Sequence, residues 1–229
     1  MKGRLIVLEG TDGSGKATQT ALLSQHLTRA GRENRCLEFP RYDNASSAMV
    51  KKYLAGGFGT DPGDVNAYAA STFFAVDRFA SWAEDWRRDY EAGGLFLADR
   101  YSTANAVHQA SKLPEAEREA FFRWLADFEY DKLGLPRPDL VFYLDMPTDV
   151  SETLVQYRSV TSGRQVDIHE QNDAYLRLCR QTARQAAAFY GWTVIPCMEG
   201  GILRSPEAIH NDIFAYVADL LYISESSST

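Results

Sequence analysis

Residues 5–18 have the sequence Leu5-Ile6-Val7-Leu8-Glu9-Gly10-Thr11-Asp12-Gly13-Ser14-Gly15-Lys16-Ala17-Thr18. The segment begins with an apolar run that contains β-branched residues and no proline, which is typical of a buried strand. A helical spacing of apolar residues begins just after Lys16. Strand, glycine-rich turn, lysine and helix in this order predict a phosphate-binding loop. The glycines allow successive backbone amides to face phosphate oxygens at a helix N-terminus.

The pattern G-x-x-x-x-G-K is complete between Gly10 and Lys16. Lys16 adds a mobile positive charge for the β and γ phosphates of a nucleotide. Ala17, however, stands where a Ser or Thr hydroxyl would meet Mg²⁺, and Thr18 lies about 100° further round the helix. We therefore expect Mg²⁺ to be held by phosphate oxygens, waters and a carboxylate elsewhere. The residues predicted to bind the phosphates of the nucleotide, which the resemblance described below implies to be ATP, are Gly10, Thr11, Asp12, Gly13, Ser14, Gly15, Lys16, Ala17 and Thr18.

Composition indicates one α/β domain with a substantial core, since the chain has 229 residues and 45% of them are hydrophobic. We place this domain at residues 1–222 and expect the tail, 223–229, to be disordered. The net charge of −7, from 24 basic and 31 acidic residues, disfavours a protein that binds nucleic acids or acidic membranes. Because no apolar segment has the length of a signal peptide or a membrane span, we expect a soluble, cytoplasmic protein. The three cysteines, Cys36, Cys179 and Cys197, are expected to be reduced core residues.

Four further apolar runs are typical of strands, and they alternate with helical segments along the chain. This alternation predicts an α/β fold with a five-stranded parallel sheet that is covered by helices on both faces. Ligands bind such sheets at the carboxyl ends of the strands. The predicted strands after the first one are residues 35–39, 94–99, 139–145 and 193–197.

Three charged residues follow two of these strands. Arg41, in the loop Phe39-Pro40-Arg41, is a candidate for binding a second anion, or else a solvated loop residue. Asp99 ends an apolar strand beside the predicted phosphate loop, where a carboxylate commonly holds Mg²⁺ or its water shell. The alternative for Asp99 is a cap on the helix that begins near Ser102. Arg100 beside it can bind a phosphate.

A long helix is predicted from Asp64, because aromatic and apolar residues recur at three- and four-residue spacing as far as Tyr90. The aromatic stripe is a candidate homodimer surface within residues 64–92, or else part of the core of the same subunit.

Phe74, Asp77 and Arg78 lie off this stripe, on a different face of the helix. A ring and a guanidinium on one face can stack on a planar base and form hydrogen bonds with it. The alternative is a surface ion pair next to a packed ring.

The polar segment 158–167 lies between two predicted helices, 148–157 and 175–190, and contains Arg158 and Arg164. Its composition is typical of a lid that closes over phosphates, or of a solvated connector. Phosphoryl transfer to a second phosphate brings two polyanions together, and cations must screen their repulsion. The other candidate cations are Arg41, Arg78 and Arg100.

In this combination and order, the motifs resemble those of the thymidylate kinase family, which belongs to the P-loop nucleoside monophosphate kinases. The resemblance covers roughly residues 3–220 and rests on the opening segment, Phe39-Pro40-Arg41, Phe74 with Asp77-Arg78, Asp99-Arg100-Tyr101, and Gly134-Leu135-Pro136-Arg137-Pro138-Asp139-Leu140. It implies a three-layer P-loop NTPase fold and a cytoplasmic homodimer. The implied activity is phosphorylation of thymidine monophosphate to the diphosphate with ATP and Mg²⁺, a step of dTTP biosynthesis.

The resemblance also implies roles for residues that would hold the nucleoside. Asp12 would accept a hydrogen bond from the sugar 3′-hydroxyl, and Phe74 would stack on thymine. Arg78 would bond the edge of the base, and Asn105 would bind its imide. Phe39, Pro40 and Tyr101 would complete the substrate site, with Tyr101 against the sugar.

At the phosphates, the resemblance implies that Arg41 and Arg100 hold the monophosphate and that Asp99 serves Mg²⁺ directly or through water. Gly13 stands where some members carry a catalytic arginine, so the sequence resembles the bacterial kind, in which lid arginines supply that charge. The expected catalytic residues are Lys16, Asp99, Arg100, Arg158 and Arg164.

The sequence allows alternatives for the residues after the lid and for the function. Asp167 and Glu170 would orient the lid arginines or the sugar, or cap the next helix. Adenine is expected between the lid and a loop at residues 198–201. A kinase for a deoxynucleoside, or for a different monophosphate, is one alternative function. A deoxynucleoside kinase commonly has a carboxylate base at the end of the second strand, where this sequence offers Arg41. The other alternative is a nucleotide-binding protein that does not catalyse.

Overall fold

The computed structural model describes residues 2–162 and 173–222, apart from the side chains of residues 156–162 and 173. Five parallel strands form the central sheet in the order β2-β3-β1-β4-β5. The predicted α/β fold with a five-stranded parallel sheet is therefore confirmed. The strands are Arg4–Glu9 (β1), Arg35–Glu38 (β2), Leu95–Asp99 (β3), Leu140–Asp145 (β4) and Thr193–Pro196 (β5).

Helices pack against both faces of the sheet. In the part of the chain that the structure describes, short 3₁₀ turns and two π segments connect or extend some of them. The α-helices are Lys16–Arg29 (α1), Ala48–Leu54 (α2), Ala67–Ser81 (α3), Arg87–Glu91 (α4), Thr103–His108 (α5), Glu115–Ala126 (α6), Thr148–Ser162 (α7), Asp173–Tyr190 (α8) and Pro206–Leu221 (α9).

Burial on both faces explains why the strands have continuous apolar sequences. On one face, Ile6 of β1 belongs to a buried cluster with Leu23 of α1 and Ile213 of α9. On the other face, Leu5 belongs to a cluster with Trp86. Successive residues of β1 therefore enter different cores, as the twofold period of a strand requires.

The strand β1 lies in the middle of the sheet, where the strand order changes direction. Val7 in β1 pairs with Ala98 of β3 on one side and with Val141 of β4 on the other. The loop from β1 to α1 therefore leaves the sheet beside the end of β3. In open α/β sheets, such a switch point forms the crevice in which ligands bind.

The predicted long helix begins at Ala67 rather than at Asp64. The Asn66 side chain caps it by accepting a hydrogen bond from the Ala69 backbone N–H at 2.8 Å. Helical structure then continues to Glu91 through a π segment at Trp82–Trp86. A second π segment, Asp127–Lys132, extends α6.

The aromatic stripe of this helix divides into two parts. Trp82, Trp86 and Tyr90, which lie at four-residue spacing, are at most 7% exposed and pack within the subunit. These residues belong to the core of the subunit, which was the alternative to a dimer surface. Tyr68, Val76 and Phe79 of α3 are 41–58% exposed.

The helix α7 corrects the predicted lid. It was expected to end at Tyr157 but continues to Ser162, so residues 158–162 are helical rather than part of a polar loop. Arg164, Asp167 and Glu170 lie outside the described residues, and so does the Arg158 side chain. The predicted tail, 223–229, also lies outside them.

Two smaller expectations are corrected as well. Residues 198–201, predicted to be a loop, begin an antiparallel hairpin of Met198–Glu199 (β6) and Ile202–Leu203 (β7). All three cysteines are free, and Cys179 and Cys197 are buried as expected. Cys36 is exposed because it lies in β2, at the edge of the sheet.

None of the helices within residues 2–162 and 173–222 is long and apolar enough to cross a bilayer.

Candidate active site

The connection between β1 and α1 has the backbone of a phosphate-binding loop. Gly13 and Gly15 have φ values of 81° and 93°, which residues with a Cβ rarely adopt. A Cβ on Gly13 would also overlap the backbone oxygen of Ser151 in α7. Because α1 begins at Lys16, the loop amides lie at a helix N-terminus, where partial positive charge favours a phosphate.

The Lys16 side chain lies against this loop. Its ammonium donates hydrogen bonds to the carbonyl oxygens of Gly10 at 2.9 Å and Thr11 at 3.0 Å. Burial and the neighbouring positive charge of Arg100 lower the pKa of Lys16. Two cations that lie close enough to affect each other suit a site that receives more than one phosphate group.

Arg100, the first residue after β3, has a φ of 65°, which is uncommon for a residue with a side chain. Its backbone N–H donates to the carbonyl of Leu8 at 3.1 Å. Its guanidinium donates to the Asp12 carboxylate at 2.9 Å and to Nε2 of His108 at 2.9 Å. A longer contact of 3.4 Å joins it to Glu9. Arg100 is therefore held between the phosphate loop and α5.

The charges of this cluster shift one another's pKa values. Burial favours the neutral form of Asp12, but the charges of Arg100 and Lys16 outweigh this and hold the pKa of Asp12 well below its usual range. Burial likewise disfavours charged Arg100, but Asp12 and Glu9 raise its pKa above the ordinary value. Asp12 and Arg100 are consequently both ionised at neutral pH.

Asp99, at the end of β3, lines the same cleft. The helix α5 has Ser102 as its N-terminal boundary and no side-chain cap, so the alternative role of Asp99 as a cap is not observed. Within the described part of the chain, no three His, Cys, Asp or Glu side chains form a metal-binding group. One carboxylate with phosphate oxygens and waters is nevertheless a ligand set that Mg²⁺ accepts.

Arg78 lines the cleft, but its ion pair is not the surface pair that was the alternative expectation. It lies in α3 and forms a two-pronged ion pair with Glu129, in which Nε is 2.7 Å from Oε2. The two side chains are only 2% and 0% exposed, so this is not a surface ion pair. Asn105 of α5 joins the pair, because its amide nitrogen donates to Glu129 at 3.1 Å and to the Ser71 carbonyl at 3.3 Å.

Arg41 is the one predicted substrate residue within the described chain that does not line the cleft, although Phe39, Pro40 and Tyr42 do. Asp77 explains its position. The buried Asp77 carboxylate accepts a hydrogen bond from the Arg41 backbone N–H at 2.8 Å and lies 3.6 Å from its guanidinium. Ser46 donates to the same carboxylate and accepts a hydrogen bond from Arg41. Asp77 therefore positions Arg41, not Arg78.

Tyr101 is fully buried and packs on Phe39, with 5.8 Å between the ring centres. It supports the floor of the cleft from the core.

These elements enclose a single cleft of about 340 Å³. It brings together most of the predicted site: the phosphate loop, the end of β3, and the polar faces of α3 and α5. The lining residues are Asp12, Gly13, Gly15, Lys16, Ala17, Glu38, Phe39, Pro40, Tyr42, Leu54, Phe74, Asp77, Arg78, Asp99, Arg100, Tyr101, Ala104, Asn105, His108 and Gln109.

Comparison with known proteins decides the family. A model of the thymidylate kinase family matches residues 8–213. The chain belongs to the thymidylate kinase family. It is therefore a kinase, a phosphotransferase, and the family implies ATP as the phosphoryl donor and thymidine monophosphate as the acceptor.

Individual relatives agree with this membership. The chain is 31% identical over 193 residues to thymidylate kinase from Mycobacterium tuberculosis, which covers 82% of this chain and 87% of the relative. It is 28% identical over 221 residues to a probable thymidylate kinase from Thermococcus kodakarensis, covering 94% and 98%. The structure of thymidylate kinase from Candida albicans superimposes with a TM-score of 0.68 at 18% identity, over 96% and 93% of the two chains, and so shares the fold.

Three residues of this thymidylate kinase-like site were not predicted from the sequence. Glu9 is fully buried and accepts hydrogen bonds from the Gly10 N–H at 2.9 Å and the Thr103 hydroxyl at 2.7 Å. A charged residue at the end of an otherwise apolar strand was the available signal. His108 lies three residues after Asn105, on the same face of α5. The sequence contained no signal for Glu129. This residue is buried within a π segment, and the position of that segment could not be predicted.

Proposed function

We propose that the chain transfers the γ-phosphoryl group of ATP to thymidine monophosphate in this cleft. The observation that carries the proposal is the pairing of two phosphate-binding groups across one cleft. Lys16 and its loop provide one group, Arg100 provides the other, and the Asp12 carboxylate connects them. An acceptor phosphate on Arg100 would face a donor phosphate on the loop, with its charge screened. A general base is unnecessary, because a phosphate monoester is mostly dianionic at neutral pH.

Mg²⁺ would bind through Asp99, directly or through water, together with phosphate oxygens. Bound there, it would draw charge from the transferred group. This role does not need a hydroxyl at position 17, where Ala17 lines the cleft. Thr18 is exposed and is not among the lining residues, which supports the expectation that it does not replace that hydroxyl.

The nucleoside would bind with thymine against Phe74 and its edge at Arg78 and Asn105. Because the Asn105 amide nitrogen is already engaged, its oxygen is the atom that remains to accept the N–H of the thymine imide. Cytosine carries an unprotonated nitrogen at that position and would face the oxygen with a lone pair. The site would therefore reject cytidine nucleotides. Asp12 would accept from the sugar 3′-hydroxyl.

A coupled assay with ATP, Mg²⁺ and a panel of acceptors tests this proposal. The panel contains the four deoxynucleoside monophosphates and unphosphorylated thymidine. We expect kcat/KM to be highest for thymidylate, and we expect Lys16→Met to lower kcat at least about 100-fold without changing the melting temperature. Nucleotide binding without turnover on any acceptor would contradict the proposal.

One observation favours a second candidate, a deoxynucleoside kinase. Glu38, the last residue of β2, lines the cleft, so a carboxylate does stand where such a kinase would need a base. If thymidine is phosphorylated faster than thymidylate and Glu38→Gln abolishes that activity, this candidate replaces the first.

We also propose the bacterial arrangement, in which Arg158 and Arg164 deliver positive charge to the transferred group. The proposal rests on Gly13, since the loop has no arginine of its own at this point. Arg158→Ala or Arg164→Ala should lower kcat by more than tenfold, with much less effect on the KM for thymidylate. Unchanged turnover in both variants would exclude a lid role.

A cytoplasmic homodimer is the assembly that we propose. Tyr68, Val76 and Phe79 present exposed apolar surface on one side of α3. Phe79→Lys should convert a dimer to monomers in sedimentation velocity at micromolar concentration. Tyr216→Lys, at an exposed aromatic residue of α9, should leave the dimer intact. A monomeric wild-type protein would contradict the proposal.

A further inference from the structure

His108 lies in the site and has well-defined contacts, but the proposed reaction does not yet assign it a role. It is the last residue of α5, lines the cleft and is 6% exposed. Its Nε2 lies 2.9 Å from Nη1 of Arg100, and its Nδ1 lies 3.6 Å from the sulfur of Cys179 in α8. The imidazole thus lies between a cation of the site and the core.

The protonation of this ring follows from its partners. A guanidinium has only donors, so Nε2 of His108 must accept the hydrogen bond from Arg100 with its lone pair. The ring is then neutral and carries its proton on Nδ1, which faces the Cys179 sulfur. Burial raises the pKa of Cys179 to about 12, so its sulfur is a neutral thiol and adds no charge to the chain of contacts.

The backbone of His108 is fixed as firmly as its ring. Tyr175 of α8 donates its hydroxyl proton to the His108 carbonyl at 2.5 Å, and Ser111 donates to the same oxygen at 2.8 Å. Tyr175 and Cys179 are one turn apart on α8. Two contacts from α8 therefore set where the Nε2 lone pair points.

We propose that His108 is a positioning residue, which orients the guanidinium of Arg100 toward the acceptor phosphate. This inference rests on the proposed role of Arg100. Arg100 already faces two carboxylates, Glu9 and Asp12, whose charges compensate its own. Asp99 adds a third negative charge nearby, so a further carboxylate at position 108 would oppose a dianionic phosphate. A neutral nitrogen acceptor fixes the direction of the guanidinium without adding negative charge.

The test compares side chains that differ in where they place an acceptor. Glutamine can place its oxygen near the position of Nε2, whereas asparagine is too short and reaches only the position of Nδ1. Phenylalanine keeps the approximate ring volume without any acceptor. The variants are therefore His108→Gln, His108→Asn and His108→Phe. His210→Asn is the control, at an 8% exposed histidine that pairs with His26 between α1 and α9.

The readout is the ratio of the dissociation constants for thymidine and thymidylate, measured by calorimetry. Because the two ligands differ only in the phosphate, a residue that acts through Arg100 changes the ratio, and a residue that only maintains the fold does not. We expect the ratio to fall about tenfold or more in His108→Asn and His108→Phe, because these variants bind thymidylate more weakly. A tenfold change corresponds to about 1.4 kcal/mol of binding free energy. It should stay within about threefold of wild type in His108→Gln and be unchanged in His210→Asn.

Three results would overturn the proposal. The ratio could be unchanged in His108→Phe, the affinity for thymidine could fall in parallel with that for thymidylate, or His108→Gln could lose as much as His108→Asn. If phenylalanine prevents folding, which thermal melting would show, the glutamine and asparagine variants carry the test alone. A wild-type protein that binds thymidylate no better than thymidine would instead refute the role of Arg100, whatever the His108 variants do.

Discussion

Removing the charge of Glu129 should destabilise the protein strongly. Glu129→Gln keeps the shape of the side chain but leaves the Arg78 guanidinium charged, and both side chains are almost completely buried. In this pair, Nε of Arg78 lies 2.7 Å from the carboxylate, and Asn105 donates a further hydrogen bond at 3.1 Å. Breaking a buried ion pair from one side costs about 3–5 kcal/mol, since the remaining charge has lost its counterion in a place that water does not reach. We expect the free energy of unfolding to fall by this amount.

The assay is chemical denaturation followed by circular dichroism, at equal protomer concentration because association would also stabilise the folded state. Glu119→Gln is the matched control. Glu119 pairs with Arg123 one turn away on α6, but these side chains are 68% and 66% exposed, so the change should cost less than about 0.5 kcal/mol. A loss of less than about 1 kcal/mol in Glu129→Gln would show that water or a rearranged partner compensates Arg78.

Two further perturbations test the loop and a buried lysine. Gly13→Ala places a Cβ against the Ser151 carbonyl at a φ of 81° and should weaken ATP binding at least about tenfold in calorimetry. Gly31→Ala, at a φ of 71° in open space, should cost about 1 kcal/mol of stability and leave ATP binding unchanged, and equal effects at both positions would contradict this. Burial lowers the pKa of Lys112 from 10.5 to about 7, so above pH 7 the unfolded chain binds one proton more than the native protein. Wild-type stability should therefore rise relative to Lys112→Met by up to about 1.4 kcal/mol per pH unit between about pH 7 and 9, and a constant difference in denaturation experiments would refute this.

The sheet and the phosphate loop could be predicted because their sequence signals are local. Leu5 and Ile6 pack on opposite faces of the sheet, so β1 is apolar on both sides. Its sequence therefore differs from that of a surface helix, which has a polar face. The loop signal is local because single positions need glycine for their backbone conformation. Gly13, for example, has a positive φ. Lys16, Arg100, Phe74 and Asn105 were expected in one site, and the structure places all four on one cleft.

The remaining features depend on contacts between distant segments. Periodicity places Trp86 and Phe79 on an aromatic stripe, but it does not show that the subunit covers the first and leaves the second 43% exposed. Glu129 pairs with Arg78 from within the π segment Asp127–Lys132, where the extra residue per turn changes the helix register. Single-sequence patterns contain no signal for such a segment, so the partner of Arg78 could not be foreseen.

The arginines around the cleft carry less free charge than the sequence suggests. Arg100 faces Glu9 and Asp12, Arg78 faces Glu129, and Arg41 lies beside Asp77. Burying three guanidinium groups without these carboxylates would cost more than folding can supply. The proposed attraction of a phosphate to Arg100 therefore depends on where its N–H groups point, because net charge alone is largely compensated. A site of this kind discriminates by geometry, so the residues that hold the guanidinium groups in place matter as much as the arginines themselves.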